Sequence, residues 1–342
     1  MPAQPGSLTL SPTGSFDELS RLAKQAGLTA PRPGYYVAKS IATFALLAGC
    51  EVAFFLIGDS WWQLLTAVAL AIALVQTGFM AHDVGHKQVT TSKRRSEFLG
   101  MLHMNVLLGV SYGWWVNHHN RHHNNPNNLD KDPDTIRRPV IFDVDELPAK
   151  STTAFGRFII RFQSVMFFVL LGHEAWRLHM SGFRAAKAGI LRQVRLELGL
   201  IFLHAALYLT AVFTVLSPVT AVVFILVNKA VFGVYLGMVF APNHKGMVVY
   251  RDDVELDWLH RQVLTSRNIR SSRFTDFVYG GLNYQVEHHL FPSMPRVNLR
   301  RVRPLVMEYC QRNDIPYVEV SVWQSYAEVA RFLAKVSDDA RH

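Results

Sequence analysis

Cysteine is nearly missing from this chain. Cys50 and Cys310 are the only two, and they lie far apart. A disulfide framework or an iron–sulfur cluster needs several sulfurs at set spacing, so both are excluded. Charge is sparse as well: 18% of residues are charged against 50% hydrophobic, less charge than a water-soluble protein of this length carries. Acidic residues are the scarcer sign, 26 against 35 Lys and Arg, for a net charge of +9. The basic residues are scattered along the chain rather than gathered into a tract, which argues against a nucleic-acid partner and leaves anionic lipid or the phosphates of an acyl-CoA as secondary attractions. The first thirty residues lack the apolar core of a cleavable signal peptide. Internal repeats and low-complexity tracts are also absent.

Long apolar runs, by contrast, are abundant. Four of them, 40–58, 62–80, 196–216 and 219–240, each approach the ~20 residues needed to cross a bilayer. The links at 58–61 and 217–218 are so short that the runs must pair as two tight hairpins. Neither link carries Lys or Arg, whereas Arg21, Lys24, Arg32, Lys39, Lys87, Lys93, Arg94, Arg95, Arg192 and Arg195 flank the opposite ends. That asymmetry predicts cytoplasmic termini and a cytoplasmic middle segment, with Trp61 and Trp62 anchoring the far interface and the first span serving as an uncleaved signal anchor.

The expected fold is an all-α integral membrane protein. Its parts are a cytoplasmic lead (1–39), a first transmembrane hairpin (40–80), a cytoplasmic or interfacial segment (81–195), a second hairpin (196–240) and a cytoplasmic helical cap (241–342). Within these, 16–26 reads as a helix ended by Gly27, and 98–110 and 158–171 as interfacial or core helices too short to span. The Asn/Pro/Asp-rich stretch 124–134 reads as an ordered turn region. In the cap, 298–310 and 322–336 have helical periodicity around an extended stretch at 315–319. Lys229, beside Asn228 inside the fourth run, is a costly charge at that depth. It is expected either to have a function or to pair, with Glu197 as a candidate.

The chemistry is carried by histidine. His82 and His86 follow the second span one helical turn apart; taken alone they could simply close a transmembrane helix. His119, His122 and His123, after Trp114 and Trp115, have i, i+3, i+4 spacing and are expected to form one stripe. Neutral imidazoles gain little from crowding unless something binds them, so a metal is favoured over a solvated basic face. Gln285, His288 and His289 repeat that spacing with Gln in the first place, in the cap, where they can fold back over the other clusters. His244, with Asn243, follows the fourth span and is either a helix cap or an eighth ligand. Eight histidines exceed one tetrahedral site and suit two metals, although imidazole does not by itself select among Zn, Cu, Fe and Ni. Asp83 and Glu287 lie off the stripes and are expected to orient imidazole N–H groups. His103, His118, His173, His179, His204, His260 and His342 read as ordinary polar, interfacial or core residues.

HDVGH (82–86), HNRHH (119–123) and QVEHHLFP (285–292), with Asp132-Pro133-Asp134 after the second, resemble the three histidine boxes of the membrane fatty acid desaturases. The resemblance covers roughly residues 35–320. Gln285 resembles the front-end (Δ5/Δ6-type) branch, and bacterial Δ9 acyl-CoA relatives share that box, so the position of the double bond is not implied. The resemblance implies a di-iron centre held by His82, His86, His119, His122, His123, His288 and His289, with His244 as an added ligand and Gln285 binding weakly or only hydrogen-bonding. It further implies O2 as co-substrate and hydrogen removal from two adjacent methylenes of a fatty acyl chain lying in an apolar tunnel. The chain has no HPGG haem motif, so a separate ferredoxin, cytochrome b5 or flavin reductase is expected to supply electrons. The carrier (CoA, phospholipid or acyl carrier protein) is left open, and the implied location is a bacterial cytoplasmic membrane.

Two other readings compete. Hydroxylation or ketolation of a lipid or carotenoid uses the same scaffold. A zinc hydrolase would want an HExxH glutamate, which HDVGH lacks, and a metal transporter would place its ligands near mid-membrane.

Overall fold

The computed structural model describes residues 14–136 and 139–340. Residues 1–13 of the expected lead, and His342, lie outside the described residues. The helices in chain order are α1 (Phe16–Gln25), α2 (Pro33–Ile57), α3 (Gln63–Gly85), α4 (Lys93–Gly100), α5 (Tyr112–Asn124), α6 (Pro133–Ile136), α7 (Leu147–Lys150), α8 (Ala154–Arg161), α9 (Gln163–Leu170), α10 (Glu174–Lys187), α11 (Val194–Val215), α12 (Pro218–His244), α13 (Trp258–Leu264), α14 (Arg273–Val278), α15 (Gln285–Leu290), α16 (Arg296–Arg312) and α17 (Val322–Asp339). A π-helical stretch, Met101–Leu108, continues α4. Among the described residues the architecture is all-α apart from an isolated bridge between Asn128 and Tyr250 and a short parallel ladder, β1 (Asn268–Ile269) with β2 (Glu319–Val320), which lies next to the stretch expected to be extended.

α2, α3, α11 and α12 are long and apolar enough to cross a membrane. Local sequence sets their ends. Proline at the first helical position starts α2 and α12, where its missing N–H costs nothing. Gly58, at φ 63°, stops α2. Gln63, fully buried, then donates to the Phe54 and Gly58 carbonyls at 2.7 and 2.9 Å. It thereby satisfies acceptors that the helix end leaves open inside the lipid layer.

Ile41, Phe55, Leu56, Leu65, Phe202 and Val219 point outward with large exposed apolar surface, as lipid-facing residues should. α3 is the most buried of the four, packed between α2 and α12. It runs unbroken past the expected end of its apolar run, through His82 to Gly85, with His86 as its C-cap, so the first histidine pair closes the most buried of the four spans. α8 and the segment from α9 through α10 are bent by 105° to one another. α8 shows Phe155 and Phe158 to the outside, in keeping with an interfacial helix.

The cap packs its own apolar cluster from α1, α13, α15 and α16, including Leu19, Leu259, Val286 and Val302. Lys229 does not pair with Glu197. Its ammonium lies over the Tyr208 ring at 4.6 Å, and Asn228 holds α3 by donating to Ala67 O at 3.0 Å. Glu197 serves α5 instead, accepting from Ser111 Oγ (2.6 Å) and the Gly113 N–H (3.0 Å). Tyr112 N donates to Asn105 Oδ1 and Trp114 N to Ser111 Oγ, both at 3.1 Å. The otherwise orphaned N–H groups at the start of α5 are therefore filled by side chains. That pins the helix carrying the second histidine cluster.

Candidate metal centre

α3, α5, α12 and α15 bring eight histidines together where the spans meet the cap. They form two groups. The ligand atoms of His82, His86, His119, His123 and His288 lie within 4.8 Å of one another, and so do those of His122, His244 and His289. The expected single stripe on α5 is thus corrected. Steps of three and four residues land about 100° apart around a helix, so His119 and His123 face one group while His122 faces the other. α15 divides its neighbours the same way, sending His288 to the group of five and His289 to the group of three. Each HH dipeptide therefore serves both groups.

Partners at the outer ring nitrogens fix the inner ones. His122 Nδ1 faces both oxygens of Asp132 at 3.1 Å, His244 Nδ1 faces Thr265 O at 3.0 Å, and His289 Nδ1 faces Gln262 Oε1 at 2.9 Å. All three partners are acceptors, so each Nδ1 carries a proton and each neutral ring turns a bare Nε2 inward. His122 and His244 oppose these atoms at 3.3 Å, and His289 Nε2 has no hydrogen-bond partner. Gln285 Nε2, 2.9 Å away, can donate to His244 Nε2, but nothing donates to His289 Nε2, whose lone pair a cation would satisfy.

The group of five is equally crowded. Nε2 atoms meet at 2.9 Å (His86–His119), 3.0 Å (His119–His123) and 3.1 Å (His123–His288), while His82 Nε2 is buried without a partner. Burial, then the neighbouring imidazoles, pushes His86, His119, His123, His288 and His289 well below the usual histidine range. They are neutral donors at physiological pH. Burial also depresses His122, but the charge and hydrogen bond of Asp132 outweigh it, and the net shift is upward. This donor set fits two transition-metal ions.

Gln285 sits beside the group of three, its Nε2 2.9 Å from His244 Nε2 and its Oε1 accepting from Asn243 at 3.1 Å. In this arrangement it hydrogen-bonds, and Asn243 holds it in place. Asp83 touches His82 Nδ1 only at 3.5 Å and pairs chiefly with Arg296 at 2.8 Å. Glu287, expected to orient an imidazole, instead accepts from Asn268 and Tyr317, both at 2.7 Å. Its helix position turns it toward the β1–β2 ladder, so it braces the cap.

The orienting roles fall to Asp132, Gln262 and the Thr265 carbonyl. Of these, only Asp132 had a signal, its place in the Asn/Pro/Asp-rich stretch. There its carboxylate also accepts from Asn127 N and Asp134 N at 2.8 and 2.9 Å. Asp132→Asn should therefore weaken metal binding by about 10- to 100-fold, read by titrating the metal-free protein with Fe(II). Unchanged affinity would remove Asp132 from this role.

His118 Nε2 meets Asp134 at 3.1 Å, and Asp134 lies 3.6 Å from His122. His103, His179 and His204 hydrogen-bond backbone carbonyls and His260 pairs with Asp257.

An apolar cavity runs alongside, lined by Phe79, Met104, Leu108, Trp115, Phe232 and Leu236, with His82, His119, His122 and His244 on one wall. Trp115 stacks on His119 at 4.5 Å. It can approach this closely because position 85 is glycine, where a Cβ would lie 2.3 Å from the ring. Leu108, Val110 and Phe79 are buried, whereas Asp134 and Arg177 are about one-third exposed, so the mouth is polar and the floor apolar.

The fatty acid desaturase family profile matches residues 59–321. Among curated proteins, the chain is 31% identical to an acyl-lipid (9-3)-desaturase of Physcomitrium patens, covering 90% of this chain and 59% of the moss protein. It is 28% identical to the Delta(6)-fatty-acid desaturase fat-3 of Caenorhabditis elegans, over 92% and 72% of the two chains. It is 30% identical to the Delta(5) fatty acid desaturase fat-4 of the same nematode, over 94% and 75%. The chain thus spans less than two-thirds of the moss protein's length and about three-quarters of each nematode protein. With all three histidine clusters inside the matched region, the chain belongs to the fatty acid desaturase family.

Proposed function

We propose that this protein is an oxygen-dependent fatty acyl desaturase that introduces a cis double bond at a di-iron centre. The observation that carries the reading is the pair of imidazole groups set into the wall of an apolar cavity. His82, His86, His119, His123 and His288 would hold one iron, and His122, His244 and His289 the other. Bound there, the irons supply reductive activation of O2 and removal of hydrogen from an unactivated methylene.

The protein's own part is positional. Apolar walls hold the acyl chain straight past the imidazoles and keep bulk water away from them. Asp132, Gln262 and the Thr265 carbonyl fix the rings that face it. The polar mouth at His118, Asp134 and Arg177 adjoins His122 directly. A carboxyl-derived end held there would place carbons near that end beside the metals, which agrees with the Δ5, Δ6 and Δ8 activities named for the relatives. The relatives named acyl-lipid desaturases favour a lipid-borne chain over acyl-CoA. A ferredoxin, cytochrome b5 or flavin reductase supplies the electrons. The histidines lie at the lysine- and arginine-rich ends of the spans, which we assign to the cytoplasmic side of the membrane on charge placement.

Expression in a host lacking the activity, with a competent redox partner, should yield a lipid two hydrogens lighter, its new double bond located by mass spectrometry. A gain of one oxygen would instead establish a hydroxylase. An unchanged lipid profile, or purified protein holding one zinc and no iron, would sink the reading.

A further inference from the structure

Lys229 lies on the stripe of α12 that lines the cavity beside the histidines. His244, Phe240, Leu236 and Phe232 all line that cavity, each one helical turn from the next, and one further turn back reaches Lys229. Lys229 is about 22 Å from His244 along the helix and about 16 Å from its start, near the middle of a ~30 Å hydrocarbon layer. The cavity floor meets the same level. Leu108 and Val110 line it, and the carbonyl of Gly109 between them faces His179 Nδ1 at 3.0 Å. Val106 O faces His204 Nδ1 at 2.9 Å, so both rings keep Nε2 as an acceptor. Gly109, at φ 67°, admits the His204 ring where a Cβ would lie 2.4 Å from it. Tyr208 stacks on His204 at 6.1 Å and donates to Asn228 Oδ1 at 3.3 Å. Lys229 is 6% exposed. Among the described residues its ammonium has the Tyr208 ring at 4.6 Å but no carboxylate and no hydrogen bond.

A polar layer of one ammonium, two imidazoles and a phenol thus lies directly behind an apolar floor. A methyl end driven past Phe232 would have to cover an ammonium that has no counter-charge, which is costly in an apolar interior. We propose that Lys229, backed by His179, His204 and Tyr208, is the length stop of the cavity. It sets the longest chain accepted by penalising the next methylenes, not by closing the space. A stop made of charge has a signature that a stop made of bulk lacks: an apolar side chain of the same length removes it. The proposal rests on the desaturase reading for the role of the cavity.

Binding of a homologous series tests it without turnover. The purified protein is titrated, by native mass spectrometry, with the myristoyl, palmitoyl, stearoyl, arachidoyl and behenoyl monoacylglycerols, whose uncharged head cannot itself pair with Lys229. Affinity should rise with length up to one homologue and then fall about tenfold at the next. Lys229→Met should bind that next homologue at least as well as the shorter one, whereas Lys229→Arg, which keeps the charge, should keep the fall. Lys229→Gln, neutral but polar, should lessen the fall and serves if Lys229→Met misfolds. A fall that persists at the same homologue in Lys229→Met would make the end of the cavity steric and overturn the proposal, as would a series with no fall. So would tighter binding of a chain with a terminal hydroxyl than of the plain chain of equal length, because the layer would then receive polar chain ends. Loss of product with this length profile intact would fault the desaturase reading instead.

Discussion

His122→Ala should leave a protein that folds, binds one metal instead of two and forms no product. His122 is one of only three imidazoles in its group. Its removal leaves His244 and His289 to hold an ion with two nitrogens, while the group of five is untouched. Buried Asp132 would also lose the ring it orients. Metal content per chain and product yield are the two readouts. Gln285→Ala is the contrast: Gln285 reaches the group through one contact to His244, so metal content should persist and only the affinity should fall. If His122→Ala keeps two metals, the division of the histidines into five and three is wrong.

Arg296→Leu should cost stability on the order of 3–5 kcal/mol, because it leaves a buried carboxylate uncompensated. Arg296 opens α16 and is buried, as is its partner Asp83 on α3, 2.8 Å away. The Arg296 N–H also donates to Tyr36 Oη on α2 and to Gln88 Oε1, at 3.0 and 3.1 Å, and Gln88 Nε2 donates to Pro292 O at 2.8 Å. One knot thus ties both helices of the first hairpin to the cap, next to His82. Thermal melting in detergent reads the loss. The double replacement Asp83→Leu with Arg296→Leu should recover part of it, since an apolar pair replaces an ion pair with less penalty than one orphaned charge. A melting point unaffected by Arg296→Leu would show the pair to be dispensable.

The spans and the histidines were legible in the sequence because each depends on local spacing. Apolar length sets α2, α3, α11 and α12, and turn-spaced imidazoles mark α3, α5 and α15. The supports were not legible, because they come from far along the chain. Gln262 and Thr265 reach the site from the stretch after α12, Glu197 caps α5 from α11, and Arg296 meets Asp83 across more than half of the sequence. Glu287 misled for a related reason. Its place beside His288 says that it points off the histidine face, but not that Asn268 and Tyr317 wait there. Adjacency along the chain also concealed that His122 and His123 belong to different groups.

α3 is at once a membrane span and a ligand carrier, with no break between the two roles. From Gln63, beside the tryptophans of the hairpin link, to His82 the rod rises about 28 Å, close to the ~30 Å thickness of a hydrocarbon layer. Hydrophobic mismatch at one face of the membrane therefore cannot be absorbed by bending before it reaches the imidazoles. It is taken up by deforming the surrounding lipid or by tilting the whole rod, and tilting carries His82 and His86 with it. The height of the donor set within the bilayer is in this way tied to lipid thickness through a single piece of backbone.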